Sequence, residues 1–386
     1  MQLTPKKELI LLLNYLFFDN PKEIIQLAGS FENIQDFKNH FHEHFKLSHK
    51  RSQIEPYIER LNKFNLDEYL QDMQKESIKF VFYSDSKYPA GLKNLTDYPM
   101  VLFYQGNLDL LSSKPILAVV GSREYSEYGA KVTEYFTSRL CKFYIICSGL
   151  AMGLDAIAHN TTLQNNGITI AIVANGLDSV HPKRNIELWT RIREKGLIMS
   201  EYPIKINADT FRFPQRNRLI AAISKGVLVA EAKEDSGTLI TARLAAELGR
   251  EVFVIPSSIF NPLNIGGHKT IQEGAKLVYK VDDVLTEFKE KLTPEQFVLP
   301  FEDNLTQARP DVSELLLKYS LNGSEEKIFQ LLYNEGEMSI DQLVSKTNEP
   351  ITSILNSITQ LELQDLVKEI GSKYMLGDKL WVKKRS

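Results

Sequence analysis

Between residues 116 and 256, short apolar runs alternate with longer stretches of helical character. The runs, which are rich in β-branched residues, are ILAVVG (116–121), FYIICSG (143–149), ITIAIVANG (168–176), LIMSE (197–201), GVLVAEA (226–232) and EVFVIP (251–256). Such short apolar runs are typical of strands covered on both faces, and right-handed crossovers place the helices above and below them. The pattern therefore predicts an α/β fold with a doubly wound, mostly parallel sheet of extended Rossmann-like form.

The segment before this region has the pattern of helices. Leu9, Leu12 and Leu16 fall on one stripe at helical spacing, which predicts an amphipathic helix. No strand pattern occurs in this segment, whereas a strand-like run, KFVFY, opens the next one. Residues 1–74 are therefore expected to form a helical domain, and residues 76–288 are expected to form the sheet domain.

The segment after the sheet region carries the signals of a small winged-helix domain at residues 323–386. Ser339 followed by Gln342 is a capping box that starts a helix, an apolar helical stripe follows, and a Gly-Ser pair marks a hairpin turn. The third helix, ITSILNSITQLE, has no Lys or Arg, which favours contact with another protein over reading of a DNA duplex. Residues 289–322 carry three prolines among polar residues and are predicted to form a linker.

Charge and cysteine content narrow the class of protein. The formal net charge of the 386 residues is −3, so binding to a polyanion requires a local basic patch rather than a basic coat. Cys141 and Cys147 suggest neither a disulfide framework nor a zinc site, and the histidine cluster in FKNHFHEHFKLSH matches no familiar ligand spacing. We predict no metal, cofactor, signal peptide or membrane span, and we expect a cytoplasmic location.

The loops that follow the predicted strands are rich in Gly, Ser and Thr and carry several basic side chains. Ligands of open parallel sheets bind outside the carboxyl ends of the strands, so these loops form the candidate site. A single glycine there is most often only a tight turn, but glycines, helix N-termini and basic side chains together favour phosphate. The candidate residues are Gly121, Ser122, Arg123, Ser148, Gly149, Leu150, Lys183, Asn185, Arg216, Asn217, Arg218, Ser236, Gly237 and Thr238.

Familiar nucleotide and hydrolase motifs are missing from the sequence. The first loop, GSREYS, is not the G-x-G-x-x-G of a dinucleotide site, and neither a G-x-x-x-x-G-K-[ST] loop nor a G-x-S-x-G elbow occurs. Asp155, Asp178 and Glu231 are expected to cap helices or to orient arginines, and no carboxylate cluster indicates a nuclease. The sequence therefore predicts a reader of a polyanion or a nucleotide that has no hydride-transfer, ATP or acyl chemistry.

Taken together, these motifs resemble the DprA/Smf family in order and spacing. They are GSR (121–123), SGLAMGLDAIAH (148–159), NGLDSVHPKRN (175–185), SEYP (200–203), FPQRNRLIAAIS (213–224), VAEAKEDSGTLITA (229–242), GREVFVIP (249–256) and GGHKTIQEGAKLV (266–278), with the lead-in YPAGLKNLTDYPMVLFYQGN (88–107). The helical segment before them resembles the SAM-like domain of that family, and a C-terminal winged helix is a common addition to it.

The resemblance implies a protein that binds single-stranded DNA during natural transformation, protects it and loads RecA onto it. It also implies a dimer formed through the Rossmann-like domain. Arg123 and Lys183 match basic positions that grip the DNA backbone, and the other candidate residues match loops lining the same groove. His268 of the GGHKT motif is counted with them. His181 lies where tyrosine is common in the family, so a stacking ring is expected to differ there.

Two other functions stay open at this point. Nucleotide phosphoribohydrolases of the LOG type have a related core, but their P-G-G-x-G-T-x-x-E loop is replaced here by AKEDSGTLITA. A nucleotide-sensing module would use the same strand ends to bind one free nucleotide and pass the signal to a partner.

Overall fold

The computed structural model shows two compact units. It describes residues 3–46, 51–291, 323–370 and 373–377, together with Val312, Leu315, Leu316, Tyr319 and Leu321. The first unit spans Met1–Thr293 and the second spans Pro294–Ser386. Most of the predicted linker lies outside the described residues.

A sheet of nine strands forms the centre of the first unit. The strands are β1 (Lys79–Phe82), β2 (Val101–Gly106), β3 (Ile116–Val120), β4 (Ile145–Ser148), β5 (Thr169–Ile172), β6 (Leu197–Ser200), β7 (Gly226–Val229), β8 (Glu251–Val254) and β9 (Lys276–Leu277). They lie in the order β1-β2-β6-β5-β4-β3-β7-β8-β9. The pairs β1–β2 and β2–β6 are antiparallel and all other neighbours are parallel. The predicted α/β fold with a mostly parallel sheet is confirmed.

Helices cover both faces of this sheet. They are α1 (Pro5–Phe17), α2 (Pro21–Ser30), α3 (Ile34–Lys46), α4 (Arg51–Lys63), α5 (Leu66–Lys75), α6 (Glu127–Leu140), α7 (Leu154–Gln164), α8 (Ile186–Lys195), α9 (Arg212–Ile223), α10 (Gly237–Glu247), α11 (Ile265–Gln272) and α12 (Asp282–Leu285). Ala171 of β5 packs into one core with Leu12 of α1. Its neighbours Ile170 and Ile172 pack into the opposite core with Leu219 of α9, because successive side chains of a strand alternate between faces.

Helix α1 is buried on nearly all sides, so the prediction of an amphipathic helix with a single apolar stripe is wrong. Leu9, Leu12 and Leu16 are fully buried, as expected, but Ile10 and Leu11 are buried as well. The reason is that α1 packs against α2, α3, α4 and strand β2 at once. A helix enclosed in this way needs apolar side chains all round. The helical layer and the sheet thus share one core, and the predicted boundary near residue 75 lies inside the first compact unit.

From residue 323 on, the described part of the second unit contains three helices followed by two antiparallel strands, in the predicted order. The helices are Gly323–Glu335, Ile340–Thr347 and Ile351–Leu363, and the strands are β10 (Val367–Ile370) and β11 (Lys373–Leu376). The predicted capping box is present, since the Ser339 side chain accepts from the Gln342 N–H and the Gln342 side chain accepts from the Ser339 N–H. The predicted turn between the strands lies outside the described residues. None of the described helices, in either unit, is long and apolar enough to span a bilayer.

His159 of α7 is a core residue and is fully buried. Its Nδ1 lies 2.6 Å from the Thr169 hydroxyl, which itself donates to the Ile146 carbonyl at 2.8 Å. Because the Thr169 hydroxyl proton is already used in that bond, the His159 ring donates to the hydroxyl oxygen through its Nδ1–H. Burial, with a smaller effect of the nearby Arg216 charge, lowers the pKa of His159 to about 3.

This buried histidine predicts a specific loss of stability in acid. Below the ordinary pKa of 6.5, the unfolded chain binds a proton that the folded chain refuses until about pH 3. The free energy of unfolding therefore falls by up to about 1.4 kcal/mol per pH unit across that range. Urea unfolding at pH 7 and pH 5 should show the wild type losing about 2 kcal/mol more than His159→Gln. Equal losses in the two proteins would contradict this assignment.

Candidate nucleic-acid interface

A crevice opens at the carboxyl edge of the sheet between β3 and β7. Strands β3 and β7 are neighbours, but the chain after β3 leads to β4 on one side and the chain after β7 leads to β8 on the other. The two loops therefore run apart, and the crevice between them is where ligands bind in folds of this kind. A cavity of about 330 Å³ lies there. The predicted site residues that line it are Gly121, Ser122, Arg123, Arg216, Asn217, Ser236, Gly237 and Thr238.

The floor of the crevice is made by close contact between the loops after β3 and β4. A Cβ on Gly121 would lie 2.4 Å from Leu154 Cδ1, and a Cβ on Gly153 would lie 2.5 Å from the Ser122 carbonyl oxygen. Gly153 also has φ +89°, a left-handed conformation that favours glycine. The Ser122 N–H donates to the Glu231 carbonyl at 2.9 Å, which ties the same floor to the loop after β7. These glycines therefore serve contact between the loops.

The loop after β4 is mostly internal. The Ser148 hydroxyl is fully buried and donates to the Val119 carbonyl at 2.7 Å. Leu150 is also fully buried and has φ +55°, so its side chain points into the core. The Gly149 N–H donates to the Asp155 carboxylate at 3.2 Å. The prediction that Ser148 and Leu150 contact DNA is thus not supported, because their side chains are used inside the protein.

Arg216 of helix α9 joins the loop after β4 to the end of β5. Its guanidinium donates to the carbonyls of Gly149, at 2.7 Å, and Ile172, while its Nε donates to Asn217 at 3.1 Å. The side chain is only 3% exposed, and a Cβ on Gly149 would collide with it. Burial raises the pKa of the neighbouring Asp155, and the Arg216 charge opposes that rise. Arg216 is therefore a structural arginine at the base of the crevice, which corrects its assignment as a direct phosphate ligand.

Arg218 is engaged in a buried ion-pair network. Its guanidinium lies 2.5 Å from the Glu201 carboxylate and 3.0 Å from the Asp97 carboxylate, and its side chain is 9% exposed. The predicted loop FPQRNR is in fact the start of helix α9, which turns this residue away from the cavity lining. The prediction that Arg218 binds DNA is not supported, because two carboxylates already neutralise its charge.

Arg123 is an exposed basic residue of the crevice, whereas the half-buried Lys233, which also lines it, pairs with Glu124 at 2.5 Å. Its guanidinium lies over the Phe213 ring, 4.8 Å from the ring centre, and the His181 ring lies 5.7 Å from the Phe213 ring. Arg123 and His181 are exposed, and Phe213 is half-buried. Phe213 is not among the residues predicted from the sequence, although an aromatic residue at the start of a helix beside a strand-end loop can indicate a stacking surface. The three side chains form a cationic and aromatic surface at the crevice mouth.

Lys183 lies on the neighbouring loop and is exposed. The Asn185 side-chain amide donates to the Leu150 carbonyl at 3.0 Å and so ties this loop to the loop after β4. Asn185 thus positions the loop, while Lys183 extends the exposed basic surface beyond Arg123. Neither residue lines the cavity itself.

Helix α10 begins at the opposite wall of the crevice. Ser236 caps it by accepting from the Thr238 N–H at 3.3 Å, and the Ser122 hydroxyl lies 3.2 Å from the Ser236 hydroxyl. Apart from its chain neighbours and the backbone of its own helix, nothing lies within 4 Å of the Cβ position of Gly237, so this side of the backbone faces open space. The first N–H groups of an α-helix carry partial positive charge and favour an anion. This wall therefore offers amide and hydroxyl donors to a phosphate.

His268 lies away from this surface. Its Nε2 is 3.1 Å from the Ser257 carbonyl, at the start of α11 beyond β8, and it is absent from the cavity lining. The prediction that His268 faces the groove is not supported, because the ring is used to hold its own loop.

Glu231 contacts Ser126, the cap of helix α6, as the sequence predicted, whereas Asp178 contacts the backbone of a loop and neither caps a helix nor orients an arginine. Asp178 accepts from the Lys205 N–H at 2.9 Å, and Glu231 accepts from the Ser126 N–H at 2.7 Å. The described residues contain no group of three or more His, Cys, Asp or Glu placed to hold a metal ion. The histidine cluster between residues 40 and 49 lies largely outside this search, because of its four side chains only that of His40 is described.

Comparison with known proteins places these features in a family. The family model for DNA recombination-mediator protein A matches residues 79–289, which contain the whole sheet and the crevice. The DNA processing protein DprA of Streptococcus pneumoniae is 49% identical over 219 residues, or 56% of this chain and 77% of that protein. Protein Smf of Escherichia coli is 37% identical over 292 residues, or 75% of this chain and 74% of that protein.

Solved structures agree with this result. The crystal structure of DNA processing protein A from Streptococcus pneumoniae is similar with a TM-score of 0.60 at 38% identity, over 74% of this chain and 99% of that one. DNA processing protein A from Helicobacter pylori, which has been studied for its single-stranded DNA binding mode, gives a TM-score of 0.51 at 26% identity, over 56% and 99%. By sequence and by fold, the chain belongs to the family of DNA recombination-mediator protein A.

Proposed function

We propose that this protein binds single-stranded DNA along the carboxyl edge of its sheet and has no catalytic activity of its own. The observation that carries the proposal is the exposed Arg123 guanidinium over the Phe213 ring, directly beside the open N-terminus of helix α10. This arrangement combines a cation, an aromatic surface and backbone donors within one crevice. Proteins that bind single strands use these three features for phosphates and unpaired bases.

The charge distribution favours a single strand over a duplex. The whole chain has a net charge of −3, and two of the predicted basic residues, Arg216 and Arg218, are enclosed in the protein. The exposed basic surface is therefore local and is centred on Arg123 and Lys183. The rings of Phe213 and His181 can stack only on bases that are not already paired. A local patch with stacking rings suits a flexible strand better than a stiff duplex.

The family supports a role in recombination. Its description names a recombination mediator, and the Helicobacter pylori relative has a single-stranded DNA binding mode. We therefore include in the proposal that the protein protects incoming DNA during natural transformation and loads RecA onto it in the cytoplasm. The described residues Leu277 and Tyr279, at and just after the edge strand β9, are apolar and exposed, which suits a homodimer formed through the Rossmann-like domain.

The flanking regions have separate proposed roles. Three helices and a hairpin in the second unit are the element order of a winged helix, and we propose that fold for it. Its last helix, Ile351–Leu363, has no Lys or Arg and exposes Ile351, Leu355 and Leu363. This surface suits contact with another protein rather than with DNA. We propose a SAM-like arrangement for the N-terminal helices.

One observation favours a second candidate function. A cavity of about 330 Å³ is within the size range of small-molecule sites, so a single nucleotide could occupy it as a signal. A phosphoribohydrolase is less favoured, because Asp155 and Glu231 already accept hydrogen bonds from backbone N–H groups. Release of free base from nucleoside monophosphates by the purified protein would support that enzyme instead.

Changing Arg123 to alanine should weaken binding to a poly-dT oligonucleotide by about tenfold, because a charge-assisted phosphate contact is lost. The dependence of log affinity on log salt should also flatten by about 0.7, the value expected for one phosphate on a single strand. Fluorescence anisotropy across a range of salt concentrations measures both quantities. Lys225→Ala is the matched control, since Lys225 is exposed and precedes β7 at the opposite edge of the sheet. Equal affinities of wild type and Arg123→Ala would overturn the proposal.

Affinity should rise with oligonucleotide length, because an extended groove gains phosphate and stacking contacts with each added nucleotide. Titration with thymidine monophosphate and with poly-dT strands of increasing length tests this directly. A steady gain over about the first five to ten nucleotides is the expected result. Saturation at one nucleotide would instead support the nucleotide sensor.

A further inference from the structure

The turn between α1 and α2 reaches the first residue of helix α9. Asp19 in this turn receives two hydrogen bonds from Arg212, at 2.8 Å from Nε and 3.0 Å from Nη2. Arg212 also donates to the Asn207 carbonyl at 2.6 Å, and its side chain is only 12% exposed. A two-pronged contact between a planar guanidinium and a carboxylate fixes both position and orientation. The N-terminal helical layer therefore determines where α9 begins.

Aromatic packing reinforces the same contact. The Arg212 guanidinium lies over the ring of Phe18, 5.3 Å from the ring centre, and over the ring of Tyr202 at 5.7 Å. Phe18 and Tyr202 belong to a small buried cluster, and Phe213 packs against its side. The Tyr202 hydroxyl donates to the Gln215 side chain at 3.2 Å, one turn further along α9. The first turn of α9 is thus held by the N-terminal layer and by the end of β6.

Phe213 follows Arg212 directly in the chain. Its ring supports the Arg123 guanidinium on one side and lies beside His181 at the crevice mouth. A shift of Arg212 would move the backbone of Phe213 by a similar amount. The contact of Asp19 with Arg212 therefore lies one residue away from the aromatic surface, although Asp19 itself does not line the crevice.

We propose that Asp19 is a positioning residue for DNA binding, and that the N-terminal helical layer orients the Phe213 ring through the contact between Asp19 and Arg212. This inference rests on the proposed single-strand binding. It assigns the N-terminal layer a part in recognition that depends on its contact with α9. A variant that loses the contact between Asp19 and Arg212 should therefore lose base stacking and keep the phosphate contacts.

The test compares two isosteric variants of the full chain, Asp19→Asn and Asp85→Asn. Asp85 is a matched control, because it pairs with Lys7 of α1 at 2.6 Å and so also joins the helical layer to the sheet, away from the crevice. The ligand is a poly-dT strand of about 20 nucleotides that carries one 2-aminopurine, a base whose fluorescence falls on stacking. Thermal unfolding of both variants measures any general loosening.

Asp19→Asn should bind about fivefold more weakly than wild type and lose most of the quenching of 2-aminopurine at saturation. Its salt dependence should stay unchanged, since Arg123 and Lys183 still meet phosphates. Asp85→Asn should match wild type in affinity and quenching. Arg212→Lys, which keeps the charge but loses the two-pronged geometry, should fall between wild type and Asp19→Asn, and it supplies the result if Asp19→Asn unfolds.

Three outcomes would separate failure of the positioning role from failure of the proposed function. If wild type binds the strand and Asp19→Asn binds and quenches equally well, the positioning role is wrong and the proposed function stands. Equal weakening in Asp19→Asn and Asp85→Asn, in step with their unfolding temperatures, also overturns the positioning role. If wild type itself does not bind the strand, the proposed function fails.

Discussion

The hydrogen bonds of one buried guanidinium organise the edge of the sheet. Arg216 reaches from α9 to the carbonyls of Gly149, after β4, and Ile172, at the end of β5. It lies beside the Asp155 carboxylate, which accepts from N–H groups of the same loop after β4. A buried arginine without partners is very costly, so the three elements are stable only in the arrangement that satisfies it. That arrangement fixes the loops whose outer faces form the crevice. The rigidity of the candidate site thus comes from a charge that is almost fully buried and already bonded within the protein.

The arginines around the crevice differ in how deeply they are buried. Arg216 and Arg218 serve carbonyls and carboxylates inside the fold, whereas Arg123 lies exposed on an aromatic ring. The Arg218 charge is paired with two carboxylates and the Arg216 charge is buried against carbonyls, so neither is presented to a ligand as Arg123 is. Arg123 acts at short range within a chain of slight negative charge. Specific placement, rather than total charge, then accounts for attraction to a polyanion. The N-terminal layer contributes to this placement through Asp19 at the start of the helix that carries the ring.

The sequence was sufficient for strands β3 to β8, which all lie within the predicted runs, because a strand buried on both faces is mostly apolar along its length. It missed β9, which has two residues and no pattern of its own, and it misjudged α1, whose burial depends on three other helices. The site was predicted as a region but not residue by residue. Periodicity located the strand ends, yet nothing in FPQRNR tells that its arginines meet Gly149, Ile172, Glu201 and Asp97 rather than DNA. Such partners are distant in sequence and become visible only in the fold.

We propose that the strand-end loops between β3 and β7 are the surface that meets DNA. Hydrogen–deuterium exchange of the full chain, with and without a saturating poly-dT strand, tests it most directly, because it reports on each backbone segment. We expect slower exchange on binding at residues 121–124, 149–153 and 236–240, with no change at β9 on the far edge. Protection confined to residues 323–377, with none at the crevice, would contradict the account.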